Sequence, residues 1–175
     1  MPFVKEGDES NSDVSSLYKE IDDELKIGKI PNILKTTSID PPIAKWFWEG
    51  VKIILLRESS ISRTLKESIA VVVSNANSCN YCTQAHSMLL QLMGFNDEKI
   101  NDLKNNFENF PEKEKAVLDY ALKINNSANK TTADDHRILN ELGYDDKQIV
   151  EITSVVAAFN WANIIADALG TDMEA

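Results

Sequence analysis

Apolar residues recur at helical spacing along most of the chain. Leu17, Ile21 and Leu25 follow one another every four residues, which predicts an amphipathic helix. A second, strongly apolar helix is predicted over 43–56. Between them, residues 30–40 are predicted to form an extended connector, because prolines lie at both of its ends.

The next apolar segment ends in a polar cluster that predicts a break between two helices. A helix capped by Ser60 or Ser62 is predicted to run through residues 65–73. Three consecutive valines at 71–73 would also suit a strand, but no partner strand is apparent. Asn75, Asn77 and Ser78 then predict a kink, with a new helix starting near Cys79 and ending at Gly94.

Four further helices are predicted in the second half. They cover 96–107, a segment beginning at Pro111, a segment from Thr132 to Gly143, and a long last helix from Asp145 to about Gly170. The chain is therefore predicted to be an all-α helical bundle of about seven helices. Residues 13–175 are expected to form a single domain, and the polar residues 1–12 a disordered N-terminal tail.

Composition and charge narrow the classes of function. The chain has 175 residues and a net charge of −10 with no basic cluster, which argues against nucleic-acid binding. Residues 1–13 lack the layout of a signal peptide, and the apolar stretch 149–169 is interrupted by four polar or charged side chains. We therefore expect a cytoplasmic protein that does not bind membranes.

The only two cysteines, Cys79 and Cys82, form a C-x-x-C motif with His86 four residues beyond it. These three residues fall at i, i+3 and i+7, which is one stripe of one helix. Glu67 and Ser74 are also seven residues apart and share a face of the preceding helix. If the two helices pack against each other, a carboxylate, an imidazole and two thiols meet in an apolar pocket.

This arrangement predicts reversible thiol oxidation. Cys82 is the candidate nucleophile, because His86 and the helix N-terminus favour its thiolate. Its attack on a peroxide would give a sulfenic acid, with which Cys79 would condense to a disulfide. Glu67 would orient His86 or relay a proton to it. We also predict that the pKa of one thiol is lowered, and that Ser74 and Tyr81 hold water or donate to the leaving oxygen.

Residues 67–86 have the pattern E-x6-S-x2-N-x-C-x-Y-C-x3-H, with Asn77 as its asparagine. This pattern resembles the alkylhydroperoxidase D-like core of the carboxymuconolactone decarboxylase superfamily. Residues 159–170, FNWANIIADALG, look like the peroxidase-related branch. At position 81 some members have a histidine that joins the proton relay, whereas this chain has Tyr81.

The resemblance implies an all-α, homo-oligomeric fold (dimer, trimer or hexamer) and thiol peroxidase activity without a cofactor. The implied substrate is a small hydroperoxide, and the implied reductant is a dithiol such as a dihydrolipoyl domain. Carried over by position, the resemblance makes Cys82 peroxidatic and Cys79 resolving, with Glu67 and His86 as the proton relay. Ser74, Asn77 and Tyr81 would be supporting residues.

Several alternatives remain open from the sequence. The two cysteines, His86 and Glu67 would also suit a zinc site or a redox-sensing module. A decarboxylase-like activity does not call for a C-x-x-C pair. Ser74 and Asn77 would equally fit a simple turn, and Trp46–Trp48 a core or an interface. Asn160 and Asn163 would bond across a subunit contact or within the monomer.

Overall fold

The computed structural model describes residues 2–174, which form nine α-helices and no strand. Met1 and Ala175, the ends of the predicted tail and domain, lie outside the described residues. A π-helical segment, Lys52–Leu56, continues α3, and a 3-10 turn, Ala128–Lys130, follows α7. The helices are α1 (Ser12–Leu25), α2 (Asn32–Thr37), α3 (Pro41–Val51), α4 (Arg63–Ala76), α5 (Asn80–Leu92), α6 (Asp97–Asn105), α7 (Glu112–Ser127), α8 (Ala133–Glu141) and α9 (Asp146–Ala168).

The predicted helix starts are confirmed by side-chain caps. The side chain of Ser62 accepts a hydrogen bond from the Leu65 N–H at the start of α4. Asp145 opens α9 with a capping box, in which its carboxylate accepts from the Gln148 N–H. These short polar side chains satisfy backbone N–H groups that have no partner inside the helix. They therefore fix where each helix begins.

The predicted extended connector at 30–40 is wrong, because α2 forms inside it. Pro31 precedes the first helical residue, where a missing N–H costs no hydrogen bond. The hydroxyls of Thr36 and Thr37 donate to carbonyls one turn back, at 2.9 and 2.8 Å. Leu34 is buried against the helices that cover the cysteines. Tertiary packing of this face stabilises a helix that is only six residues long.

The core consists of two clusters of buried side chains. The larger one lies between α4, α7 and α9 and includes Ile69, Leu118 and Ile152. The smaller one joins α1, α2 and α3 to the start of α5 and the end of α9. Both cysteines belong to this smaller cluster, so the three N-terminal helices cover the C-x-x-C motif.

The predicted break before Cys79 is confirmed at the junction of α4 and α5. Asn77 ends α4, and Ser78 takes a left-handed conformation with φ of 60°. The Cys79 N–H then donates to the Ser74 carbonyl at 2.9 Å, and Cys79 is the N-cap of α5. Cys79 thus precedes the helix that carries Cys82 and His86, a small departure from the predicted single stripe.

The N-terminal residues are hydrogen-bonded to the ends of α9 and α2. The Phe3 N–H donates to the Leu169 carbonyl at 2.9 Å, and the Gly7 N–H donates to Ser38 Oγ at 3.2 Å. Residues 2–11 contain no helix. Disorder of the 1–12 tail stays a prediction.

One described helix, α9, is long and apolar enough to cross a membrane by length and composition alone. Its packing is that of a central core helix, because it contacts α4, α5, α7 and α8. Nine of its residues between Ile149 and Ala166 are buried, among them the polar Glu151 and Asn163.

Candidate active site

A buried carboxylate and an imidazole are in direct contact, as the sequence predicts. Glu67 lies on α4 and is 0% exposed. Its Oε2 lies 2.5 Å from His86 Nδ1, and its Oε1 accepts from Arg63 Nε at 2.5 Å. The edge of the His86 ring packs against Phe159 of α9, with ring centroids 4.7 Å apart. The carboxylate therefore holds the imidazole in one orientation.

The surroundings of Glu67 keep it ionised. Burial by itself opposes ionisation, but His86 and then Arg63 outweigh it and hold the pKa of the Glu67 carboxyl below its usual value. Arg63 was not predicted as a site residue. The signal for it was its position four residues before Glu67, the spacing of an ion pair along one helical face.

The two thiols are free and buried, and they belong to the same core cluster. The neighbouring Cys82 thiol holds the pKa of Cys79 below its ordinary value although burial opposes this, and the Cys82 backbone N–H acts in the same direction as the thiol. The Cys79 thiol and then burial raise the pKa of Cys82. A lowered pKa was predicted for one of the two thiols and is found at Cys79. The expectation that His86 and the helix N-terminus favour the Cys82 thiolate is wrong, because the Cys79 thiol and burial raise the pKa of Cys82.

The structure therefore brings the predicted residues together as two pairs. One pair is Glu67 with His86, and the other is Cys79 with Cys82. His86 lies four residues after Cys82 on α5, so the two pairs are one helical turn apart. The role of Cys82 as the attacking sulfur stays a prediction.

Ser74 and Asn77 have hydrogen-bond partners beyond their own turn. Asn163, buried on α9, donates from Nδ2 to Ser74 Oγ at 2.9 Å. Its Oδ1 accepts from Asn77 Nδ2 at 2.9 Å. Of the two alternatives for Asn160 and Asn163, bonding within the monomer is the one observed.

Tyr81, between the two cysteines, is hydrogen-bonded to α2 and to the residues after α9. Its hydroxyl accepts from the Ile33 N–H at 3.1 Å and donates to Glu174 Oε1 at 2.6 Å. Burial and then Glu174 raise the pKa of Tyr81. The Asn32 N–H donates to the same carboxylate oxygen at 2.8 Å. Glu174 was missed, because nothing in the sequence places the last residues beside the motif.

The donor set does not suit the zinc alternative. Both carboxylate oxygens of Glu67 are engaged by His86 and Arg63, so Glu67 is not a free ligand. Within 2–174, no group of three or more His, Cys, Asp or Glu side chains has the arrangement of a metal site.

An open groove of about 770 Å³ runs along the outer face of α5, beside α6. It reaches the motif at Asn80 and Thr83, and the tail contributes Met173 to its wall. Both cysteines are buried and do not line this groove. The lining is rich in amide and hydroxyl groups rather than in charge.

Comparison with known proteins assigns the family. The sequence model of the Carboxymuconolactone decarboxylase family matches residues 41–105, which include both cysteines, Glu67 and His86. An uncharacterised protein of Bacillus subtilis (strain 168), YdfG, is 30% identical over 131 residues, or 70% of this chain and 88% of YdfG. This chain belongs to the carboxymuconolactone decarboxylase family.

Several solved structures share the fold of nearly the whole chain. An uncharacterised peroxidase-related protein of Ralstonia eutropha JMP134 with an alkylhydroperoxidase D core has a TM-score of 0.90 at 24% identity, covering 99% of this chain and 92% of its own. Its counterpart from Silicibacter sp. TM1040 has a TM-score of 0.87 at 26% identity, covering 97% and 88%. The debrominase Bmp8 has a TM-score of 0.79 at 23% identity, covering 98% and 92%.

Proposed function

We propose that this protein is a thiol-dependent peroxidase that reduces alkyl hydroperoxides through a dithiol–disulfide cycle of Cys79 and Cys82. One observation carries the proposal: a pair of free, buried thiols lies one helical turn from an imidazole bonded to a buried carboxylate. Peroxidase-related relatives with the same fold support it.

In the first step the Cys82 thiolate attacks the hydroperoxide. A sulfur–oxygen bond forms to the distal oxygen, the O–O bond breaks, and the alkoxide leaves as an alcohol after taking a proton from His86. The sulfur is oxidised to a sulfenic acid and the peroxide is reduced. Glu67 stabilises the positive charge on His86 before the proton leaves.

In the second step Cys79 attacks the sulfenic sulfur of Cys82. A disulfide forms and the hydroxyl group leaves as water, with a proton from the site. The lowered pKa of Cys79 suits this step, because the thiolate is the attacking species. An external dithiol, such as a dihydrolipoyl group, then reduces the disulfide by exchange and is itself oxidised.

Activity measurements with cumene hydroperoxide and dihydrolipoamide test this proposal. We expect wild-type protein to consume both in equal amounts, and Cys82→Ser to lose at least about a hundredfold in rate, because the attacking sulfur beside His86 is then absent. Cys79→Ser should stop after one turnover and retain sulfenic acid at Cys82. Equal turnover by wild type and Cys82→Ser would refute the mechanism.

The match to a debrominase supplies a second substrate for the same assay. Bmp8 has been crystallised with 2,3,4-tribromopyrrole. If the protein turns over that bromopyrrole with dihydrolipoamide and does not turn over cumene hydroperoxide, its activity is reductive dehalogenation and not peroxide reduction. Turnover of the hydroperoxide alone would support the proposal as stated.

A further inference from the structure

An arginine completes the hydrogen-bonded series of side chains that ends at His86. Arg63 Nε donates to Glu67 Oε1, and Glu67 Oε2 lies against His86 Nδ1, each at 2.5 Å. Arg63 Nη1 also donates to the Leu55 carbonyl at 3.3 Å. Leu55 lies near the end of the π-helical segment, where carbonyls lack a partner inside the helix. The guanidinium is therefore held from two sides, by the carboxylate and by the backbone that precedes α4.

The directions of these hydrogen bonds decide which nitrogen of His86 is available. Against the effect of burial, His86 and then Arg63 hold the pKa of the Glu67 carboxyl below its usual value. An ionised carboxylate only accepts, so its contact with His86 places a hydrogen on Nδ1. A neutral imidazole carries one N–H, which leaves Nε2 without a hydrogen. Nε2 is therefore the nitrogen that can take and return a proton.

The charges in this series balance one another. The Glu67 side chain is 0% exposed, and a buried carboxylate beside a single imidazole favours the imidazolium, which would keep a proton on His86. Arg63 places a positive charge on the other oxygen of the same carboxylate. Like charges disfavour each other, so the guanidinium opposes protonation of His86. A group that takes and returns a proton works best when both of its forms are accessible at the working pH.

We propose that Arg63 is a positioning residue for the proton relay: it fixes Glu67 against His86 Nδ1 and offsets the carboxylate charge, so that His86 exchanges a proton through Nε2 near neutral pH. The inference rests on the proposed function only in taking His86 as the group that moves a proton from the Cys82 thiol to the leaving alkoxide. The proton that leaves the thiol is the one that the alkoxide receives. Arg63 and Glu67 keep their protonation states, so this step needs no further reactant.

Other ionisable side chains lie on the elements packed around the relay. They include Cys82 of α5, Lys66 of α4, Glu151 of α9 and Arg57 at the end of the π-helical segment. Lys66 and Glu151 form a buried ion pair at 2.9 Å, and Arg57 lies 4.0 Å from the same carboxylate. The α9 side chain in contact with the imidazole ring, Phe159, is uncharged. All of these groups remain in an Arg63 variant, so the change that such a variant produces reports on the guanidinium alone.

The test is a pH titration of the two histidine rings in ¹⁵N-labelled, reduced protein, followed by two-bond ¹H–¹⁵N correlation spectra. We expect Arg63→Gln to raise the proton affinity of His86 about tenfold, because the carboxylate charge then acts on the imidazole alone. Arg63→Lys keeps the charge but not the planar fork of donors, and should raise it only about twofold. His136, which is bonded to Tyr120, is the internal reference and should not change.

The chain offers a matched control for the charge removal. Arg137 pairs with Glu141 four residues later on α8, the same spacing as Arg63 and Glu67, but both of its side chains are exposed. Arg137→Gln should therefore leave the titration of His86 unchanged. In all three variants the neutral His86 ring should keep its hydrogen on Nδ1, because Glu67 is retained.

The outcomes separate a role in the relay from a merely structural one, which would lower stability without moving the titration. An unchanged His86 titration in folded Arg63→Gln would overturn the proposal, as would an equal shift in Arg137→Gln or a hydrogen on Nε2 of the neutral wild-type ring. If Arg63→Gln does not fold, Arg63→Lys decides, and its unchanged titration would overturn the proposal. The measurement uses no peroxide, so absence of peroxidase activity would leave it valid and would count only against the proposed function.

Discussion

At the scale of single residues, the site depends on a few buried polar side chains, each of which is hydrogen-bonded to defined partners. Glu67 has both oxygens engaged, Asn163 has both ends of its amide engaged, and neither is in contact with solvent. A buried polar group left without its partner costs about 1–3 kcal/mol, and a charged one more. Function and stability are therefore coupled at these positions.

Glu67→Gln tests that coupling. Removing the charge leaves His86 and Arg63 without their shared partner, and we expect the free energy of unfolding at pH 7 to fall by about 3 kcal/mol. Urea unfolding followed by circular dichroism measures it. The exposed Glu24→Gln is the control and should change stability by less than about 0.5 kcal/mol.

The same variant has a defined pH dependence. The pKa of Glu67 is lowered on folding from its ordinary 4.5, so its contribution is complete above pH 4.5 and is lost as pH falls through the folded value. The stability gap between wild type and Glu67→Gln should therefore narrow in acid. A gap that widens below pH 4.5 would contradict the ion-pair assignment.

At the scale of elements, the termini complete a site that the central helices begin. The tail after α9 brings Glu174 to Tyr81 and Asn32, so it ties the motif to the start of α2. Caps and break points are local, and the sequence predicted them well at Ser62, Asp145 and the residues before Cys79. The helix α2 was missed, because its stability comes from packing and not from its own residues.

Glu174→Ala tests whether the residues after α9 keep the two cysteines of the motif shielded from reagents in solution. Without the carboxylate, Tyr81 loses its acceptor, and we expect alkylation of the buried cysteines to speed up by roughly threefold to tenfold as the motif opens more often. Glu174→Gln keeps an acceptor oxygen and should stay near the wild-type rate. Equal acceleration in both variants would show that the negative charge, and not the hydrogen bond, is what matters.

At the scale of the whole molecule, one face displays apolar side chains that a monomer has no reason to expose. Trp46 is 61% exposed and packs edge-on against Trp161 of α9, with ring centroids 4.9 Å apart. Ile43 and Ile164, one turn away on the same two helices, are 46% and 65% exposed. Trp48 instead is buried, and its indole N–H donates to Glu20 at 3.0 Å. The sequence predicted core or interface for this segment, and its residues divide between core and surface.

We propose that this exposed face forms the contact of the predicted homo-oligomer. Sedimentation velocity should give a mass of at least two chains for wild type and a lower mass for Trp46→Glu, because a buried charge in an apolar contact is unfavourable. Ile138→Glu changes an equally apolar, exposed residue of α8 and should keep the wild-type mass. A monomeric wild type would refute the prediction.

The sequence by itself determined the helical class, the break before Cys79, and the meeting of Glu67 with His86. These features follow from spacing and caps, which act over a few residues. Only the tertiary structure decided that Asn163 bonds to Ser74 and Asn77, that Glu174 binds Tyr81, and that the pKa of Cys79 rather than that of Cys82 is lowered. Those outcomes depend on which distant side chains share a buried space, and in that space each hydrogen bond and charge counts for more than in water.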